Sequence, residues 1–139
     1  VAYIHRPSRL VFLANPRTAS RSVAKALVEQ CGFNRNAAHH APLSDTDCDF
    51  WPITFSVVRD VESTLASMAR KNGMSVPDFV AGGFDGFRTL VPDWAPWTLF
   101  PFAHASDHVL VYEDGRMDEI ISNFLSRYGL GPITLPRIT

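Results

Sequence analysis

Three short apolar runs, each followed by a stretch with helical spacing, set the pattern of the chain. Leu10 to Ala14 (LVFLA) is continuously apolar, too short for a helix and punctuated by Pro16, and it predicts a buried strand. Behind it Val23, Leu27 and Cys31 recur at helical spacing until Gly32, a natural helix stop. Ile53 to Val58 (ITFSVV) is rich in β-branched residues and predicts a second strand, ending at Arg59-Asp60. Asp60 can cap the next helix, where Val61, Leu65, Met68 and Ala69 share one face, Ser63, Ser67 and Arg70 lie on another, and Gly73 ends the run. His108 to Tyr112 predicts a third strand, and Met117, Ile120, Ile121, Phe124, Leu125 and Tyr128 form the stripe of a final helix that stops at Gly129. Between these lie a loop over 33–52 with a short strand near Ala37 to His40, and a short helix from Ser75 to about Ala81 with a capping-box-like start. The aromatic, proline-rich segment Phe84 to Ala103 reads as cover for one side of the sheet, and the tail after Gly129 as extended chain.

Strands alternating with helices predict an α/β fold, a three-layer, mainly parallel sheet flanked by helices with right-handed crossovers. Ligands in such folds sit beyond the carboxyl ends of the strands, so the arginine-bearing turns after Asn15 and after Val58 are expected at one edge. Residues 1–139 suit one domain, with no repeat or internal linker.

Composition narrows the function. Hydrophobic residues make up 46% and charged residues 19%, which argues against disorder, and a formal charge of -1 removes the broad basic footprint of a nucleic-acid binder. No run of about eighteen apolar residues predicts a membrane span. Cys31 and Cys48 stand outside any CxxC or Cys/His pattern, so no metal is expected; Cys31 falls on the apolar stripe of the first helix. The segment VAYIHRPSR shows no signal-peptide pattern and does not begin with methionine, and the expected setting is reducing and cytoplasmic.

The turn Asn15 to Ser22 holds two cations, three hydroxyls and no carboxylate at the start of a helix. A helix N-terminus carries unpaired N–H groups and partial positive charge, so cations gathered there point to a bound phosphate or sulfate. The competing reading is that Ser20 or Ser22 caps the helix while Arg17 and Arg21 are solvated. The nucleoside-triphosphate loop G-x-x-x-x-G-K-[ST] is absent, which disfavours a kinase.

Taken together, Pro16-Arg17-Thr18-Ala19-Ser20-Arg21-Ser22, Arg59-Asp60 with Ser67 eight residues beyond Arg59, and LFPFAHASDHVLVYED (Leu99 to Asp114) resemble the sulfotransferase family. The first stretch corresponds to that family's 5'-phosphosulfate loop, often PKTAGTS, with Arg17 where lysine is usual and Ser20-Arg21 where glycine and threonine are usual. The resemblance implies a P-loop NTPase-like, sulfotransferase-like fold and transfer of a sulfuryl group from 3'-phosphoadenosine 5'-phosphosulfate (PAPS) to a hydroxyl or amine of a small molecule or glycan. It implies that Pro16, Arg17, Thr18, Ala19, Ser20, Arg21 and Ser22 bind the 5'-phosphosulfate, with Arg17 on the bridging and leaving oxygens, and that Arg59 and Ser67 bind the 3'-phosphate. The general base falls to His39 or His40, with Asp45 or Asp47 as substitutes and His104 and His108 as weaker candidates. A catalytically inactive PAPS-binding or interaction module with the same fold is the second reading.

Overall fold

The residues around each apolar run pair as their patterning demands. The structure, a computed structural model, describes residues 3–15, 18–35, 50–83 and 106–136. Five strands form one sheet in the order β3-β1-β2-β4-β5: β1 (Tyr3–His5), β2 (Leu10–Leu13), β3 (Asn34–Arg35), β4 (Ile53–Val58) and β5 (His108–Val111). The helices are α1 (Ser20–Cys31), α2 (Val61–Lys71), the single turn α3 (Val76–Asp78), which runs on into a wider π-type turn over Phe79–Gly83, and α4 (Met117–Ser126).

The three strands expected from the apolar runs are mutually parallel, β2 with β4 and β4 with β5. The sheet as a whole is mixed rather than mainly parallel, because β1 pairs antiparallel with both β2 and β3. A hairpin joins β1 to β2: Pro7 presets the turn, Arg9 N–H donates to Arg6 O at 3.1 Å, and Arg9 takes a left-handed conformation (φ 63°). The additional strand β3 lies just before the stretch from Ala37 to His40, which is outside the described residues, as is Phe84 to Ala103.

Register places aromatic rings in one row across the sheet. Tyr3 is opposite Phe12, Phe12 opposite Phe55, and Phe55 opposite His108. Phe12 and Phe55 approach to 5.2 Å between ring centres, and Phe55 meets Phe124 of α4 at 4.8 Å. Val23, Ala24 and Leu27 of α1 and Ile121, Phe124 and Leu125 of α4 complete this core. Burying each such large side chain contributes about 1.5–3 kcal/mol. Alternation turns Ile4, Val11 and Leu13 to the opposite face, and they are buried too. Met68 of α2 and Phe79 are likewise fully buried outside the first cluster.

Polar contacts close the ends. Gly32, with φ 75°, ends α1 in the left-handed conformation that glycine adopts without strain. Cys31 is a half-buried thiol packed against the core, and burial pushes its pKa up. The tail holds α4 to α1. Ser122 Oγ bonds both the N–H and the carbonyl of Ile133, and the Gln30 amide does the same for Thr134.

His5 couples the hairpin to pH. Its ring stacks on Phe33 at 5.3 Å, and its Nδ1 lies 2.6 Å from the Ser8 hydroxyl, while burial lowers its pKa below 6.5. A lowered histidine pKa means the unfolded chain takes the proton first. The stabilisation from neutral His5 is complete above about pH 6.5 and is lost as pH falls through the lower folded-state value. Urea midpoints at pH 8 and pH 5.5 should therefore drop with acid, and drop less in His5→Asn.

Candidate functional site

The site is set by two parallel strands that end side by side. Leu13 is opposite Ser56, so the chain leaving β2 and the chain leaving β4 emerge at the same edge. Asn15, fully buried, donates from its amide to Val57 O at 3.0 Å and ties the first turn to β4. Thr18, also buried, donates its hydroxyl to Asn15 O at 2.9 Å and braces the turn on itself. Pro16 and Arg17, between these two, lie outside the described residues.

Ala19 occupies the capping position of α1 in a left-handed conformation (φ 61°, ψ 22°), and its methyl group cannot cap. Ser20 and Ser22 stand inside the first turn rather than at the cap, so the reading in which one of them is the capping residue is not realised. Val23 N–H reaches back to Ala19 O, which makes the N–H groups of Arg21 and Ser22 part of the turn that precedes the first helical bond, and no acidic side chain lies in that turn. Ser20 is buried and Ser22 half-buried, while Arg21 is exposed. Arg21 borders an open groove of about 440 Å³ between the outer side of α1 and the β1–β3 end of the sheet, where Tyr3 and Arg35 face Lys25. Burial raises the Tyr3 pKa, and the positive charges of Arg35 and Arg21 pull it back.

At the end of β4 the neighbouring carboxylate is already engaged. Asp60 accepts from Ser63 N–H at 2.8 Å and caps α2, and the hydrogen bonds from Ser63 hold its carboxyl below the ordinary value. Among the described residues no carboxylate forms an ion pair with Arg59. Its guanidinium instead lies 4.7 Å above the Tyr112 ring, and its Nε is buried without a hydrogen-bond partner. Ser67 sits half-buried on α2, two turns beyond Arg59.

The aspartate before the third strand has a structural task. Asp107 accepts from the N–H of Thr54 at 2.9 Å and from its hydroxyl at 3.2 Å, and returns a backbone N–H to the same hydroxyl. Ser106 donates to Ser56 Oγ at 2.8 Å. These contacts fix where β5 starts against β4, and so fix which residues leave the two strands side by side at their far ends. His108, at the amino-terminal start of β5, packs edge-on to Phe124 with Nε2 3.2 Å from the Tyr128 hydroxyl. It is thus built into the core side of the strand's opposite end. His39, His40, Asp45, Asp47 and His104 lie outside the described residues.

Sequence reasoning missed Tyr112 as the partner of Arg59. The signal was present, since parallel strands ending in Val58-Arg59 and Val111-Tyr112 put the residue after each beside the other once the register is known. Among the described residues no group of three or more His, Cys, Asp or Glu could hold a metal ion, and no helix is long and apolar enough to cross a membrane. No family model, no curated protein and no solved structure matches the chain.

Ala19 offers a direct check on the turn. A β-carbon in the left-handed region is strained by about 1 kcal/mol, and glycine carries no such strain. Ala19→Gly should raise the unfolding free energy in urea by about 0.5–1 kcal/mol, and a lower midpoint would mean that this residue is not left-handed in solution.

Proposed function

We propose that the chain is a PAPS-dependent sulfotransferase acting on a hydroxyl or amine of a small molecule or glycan. The observation that carries the reading is the pairing of two parallel strand ends: β2 leads into a helix start with no capping side chain, and β4 ends in an arginine with no carboxylate partner among the described residues. A doubly anionic nucleotide fits such a pair, because one anion suits the N–H groups at the start of α1 and the other suits a guanidinium with a buried, unpartnered Nε. The finer fold assignment, three-layer and P-loop NTPase-like, belongs to the same proposal, as does a cytoplasmic setting.

PAPS supplies the sulfuryl group when bound. The chain's own residues hold and stabilise. Arg17 stabilises charge on the bridging oxygen, Pro16 shapes the turn, and Thr18, Ala19, Ser20, Arg21 and Ser22 form the cradle with it, chiefly through their backbone N–H groups, since the Thr18 hydroxyl already donates to Asn15. Arg59 offers a two-pronged donor to the 3'-phosphate and Ser67 a hydroxyl. His39 or His40 accepts the proton of the acceptor hydroxyl. Such chemistry depends on in-line placement more than on covalent participation by the protein, by analogy with phosphoryl transfer.

The second reading, an inactive module that binds the nucleotide, is favoured by Ser20 and Arg21, which put bulk and charge where the resembled loop has glycine and threonine. Turnover of labelled PAPS against a panel of acceptors separates the two. Binding of 3'-phosphoadenosine 5'-phosphate without turnover leaves the module, and preference for ATP removes both.

Arg59→Ala should weaken binding of 3'-phosphoadenosine 5'-phosphate by at least about 1.5 kcal/mol, measured by calorimetric titration. Unchanged affinity with the fold intact removes Arg59 from the site. Either His39→Ala or His40→Ala should bind the nucleotide normally while losing turnover, and full activity in both would transfer the base role to a carboxylate or to water.

A further inference from the structure

The segment Tyr112-Glu113-Asp114 has no role in the binding scheme above, yet the fold sets it beside Arg59. Val58 is opposite Val111, and Tyr112 N–H donates to Val58 O at 2.8 Å, which continues the ladder by one bond past the end of β5. The residues leaving β4 and β5 are therefore held in register, and the Arg59 guanidinium rests 4.7 Å above the Tyr112 ring. The Tyr112 hydroxyl in turn donates to Asp114 Oδ1 at 2.6 Å.

What the ring does for the guanidinium differs from what a carboxylate would do. An ion pair occupies the in-plane N–H donors of arginine, the same donors that a phosphate needs. An aromatic face attracts the cation through its π-system and occupies none of them. Among the described residues no hydrogen bond or ion pair engages this guanidinium, and its Nε is buried. The ring holds the cation without supplying an in-plane acceptor, so less side-chain freedom is lost when an anion arrives.

We propose that Tyr112 is the positioning residue for Arg59, holding the guanidinium against its ring so that its fork meets the 3'-phosphate of the bound nucleotide; this rests on the nucleotide-binding function proposed above. Tyr112 touches Arg59 and not the reacting atoms. The hydrogen bond to Asp114 and burial keep the phenol neutral by raising its pKa above 10.0, so it remains the donor in that bond.

The test uses two nucleotides that differ only in the 3'-phosphate. Wild type, Tyr112→Leu and Tyr112→Phe are titrated with 3'-phosphoadenosine 5'-phosphate and with adenosine 5'-phosphate. Tyr112→Leu should lose about fivefold in affinity for the first and nothing for the second, Tyr112→Phe should keep both, and in an Arg59→Ala background Tyr112→Leu should have no further effect. Equal losses for both nucleotides, a loss that persists without Arg59, or no loss at all overturns the positioning role. A wild type that does not prefer the 3'-phosphorylated nucleotide overturns the nucleotide reading itself, in a control that does not involve Tyr112. If Tyr112→Leu does not fold, the Arg59 Nε–H proton of the wild-type protein decides. A ring-current shift and slowed exchange support the stack, and a free-arginine resonance overturns it.

Discussion

The parallel pairing of β2 with β4 is the constraint on which the rest of the molecule depends. It is held by the tilted ring contact of Phe12 and Phe55, and its far end is locked by the buried amide of Asn15 on Val57 O. A one-residue slip of either strand would turn its phenylalanine to the other face of the sheet and carry the Asn15 amide away from its acceptor. Phe12 and Phe55 are fully buried, so such a slip would forfeit several kcal/mol. Because the strands are parallel, that one register also decides that the turn after Asn15 and the turn after Val58 share an edge.

Charge at this edge depends on which carboxylates are occupied. Asp60 is a helix cap that accepts from Ser63 N–H, and Asp107 is a clamp that accepts from the N–H and hydroxyl of Thr54. Arg59 at the end of β4 meets the Tyr112 ring and forms no ion pair among the described residues. The start of α1 has no acidic side chain in its first turn and no capping side chain. Among the described residues, then, the start of α1 carries no acidic side chain and Arg59 no ion pair. The left-handed Ala19 adds a local strain to the same turn.

Much of the fold was legible because the apolar runs are long and their punctuation is clear. Ile53–Val58 carries β-branched residues between Pro52 and Arg59, and it forms a strand with those bounds. The Met117, Ile121, Phe124 and Leu125 stripe is buried as its spacing demands. The strand β1 was not legible, since three residues are too few for a period and its pairing depends on β2. The turn at Arg6-Pro7-Ser8-Arg9 was a readable signal for that hairpin, with proline placed to start it. β3, two residues long, exists only because β1 offers an edge. At the site, the hydroxyls of the turn were legible as a group, but their employment was not: Thr18 braces Asn15, and the capping position fell to Ala19.

Local patterning alone determined that β2, β4 and β5 are strands and that α1, α2 and α4 are helices, where α1 ends and where α2 begins, and that arginines come after two strands. These are short-range properties, set by side-chain periodicity, glycine and capping within a few residues. Tertiary structure decided which strands are neighbours, that two of the four pairings are antiparallel, and that Arg59 faces Tyr112, a residue far along the chain. Those outcomes come from long-range packing of rings and from buried hydrogen bonds between distant segments, whose partners no local window contains.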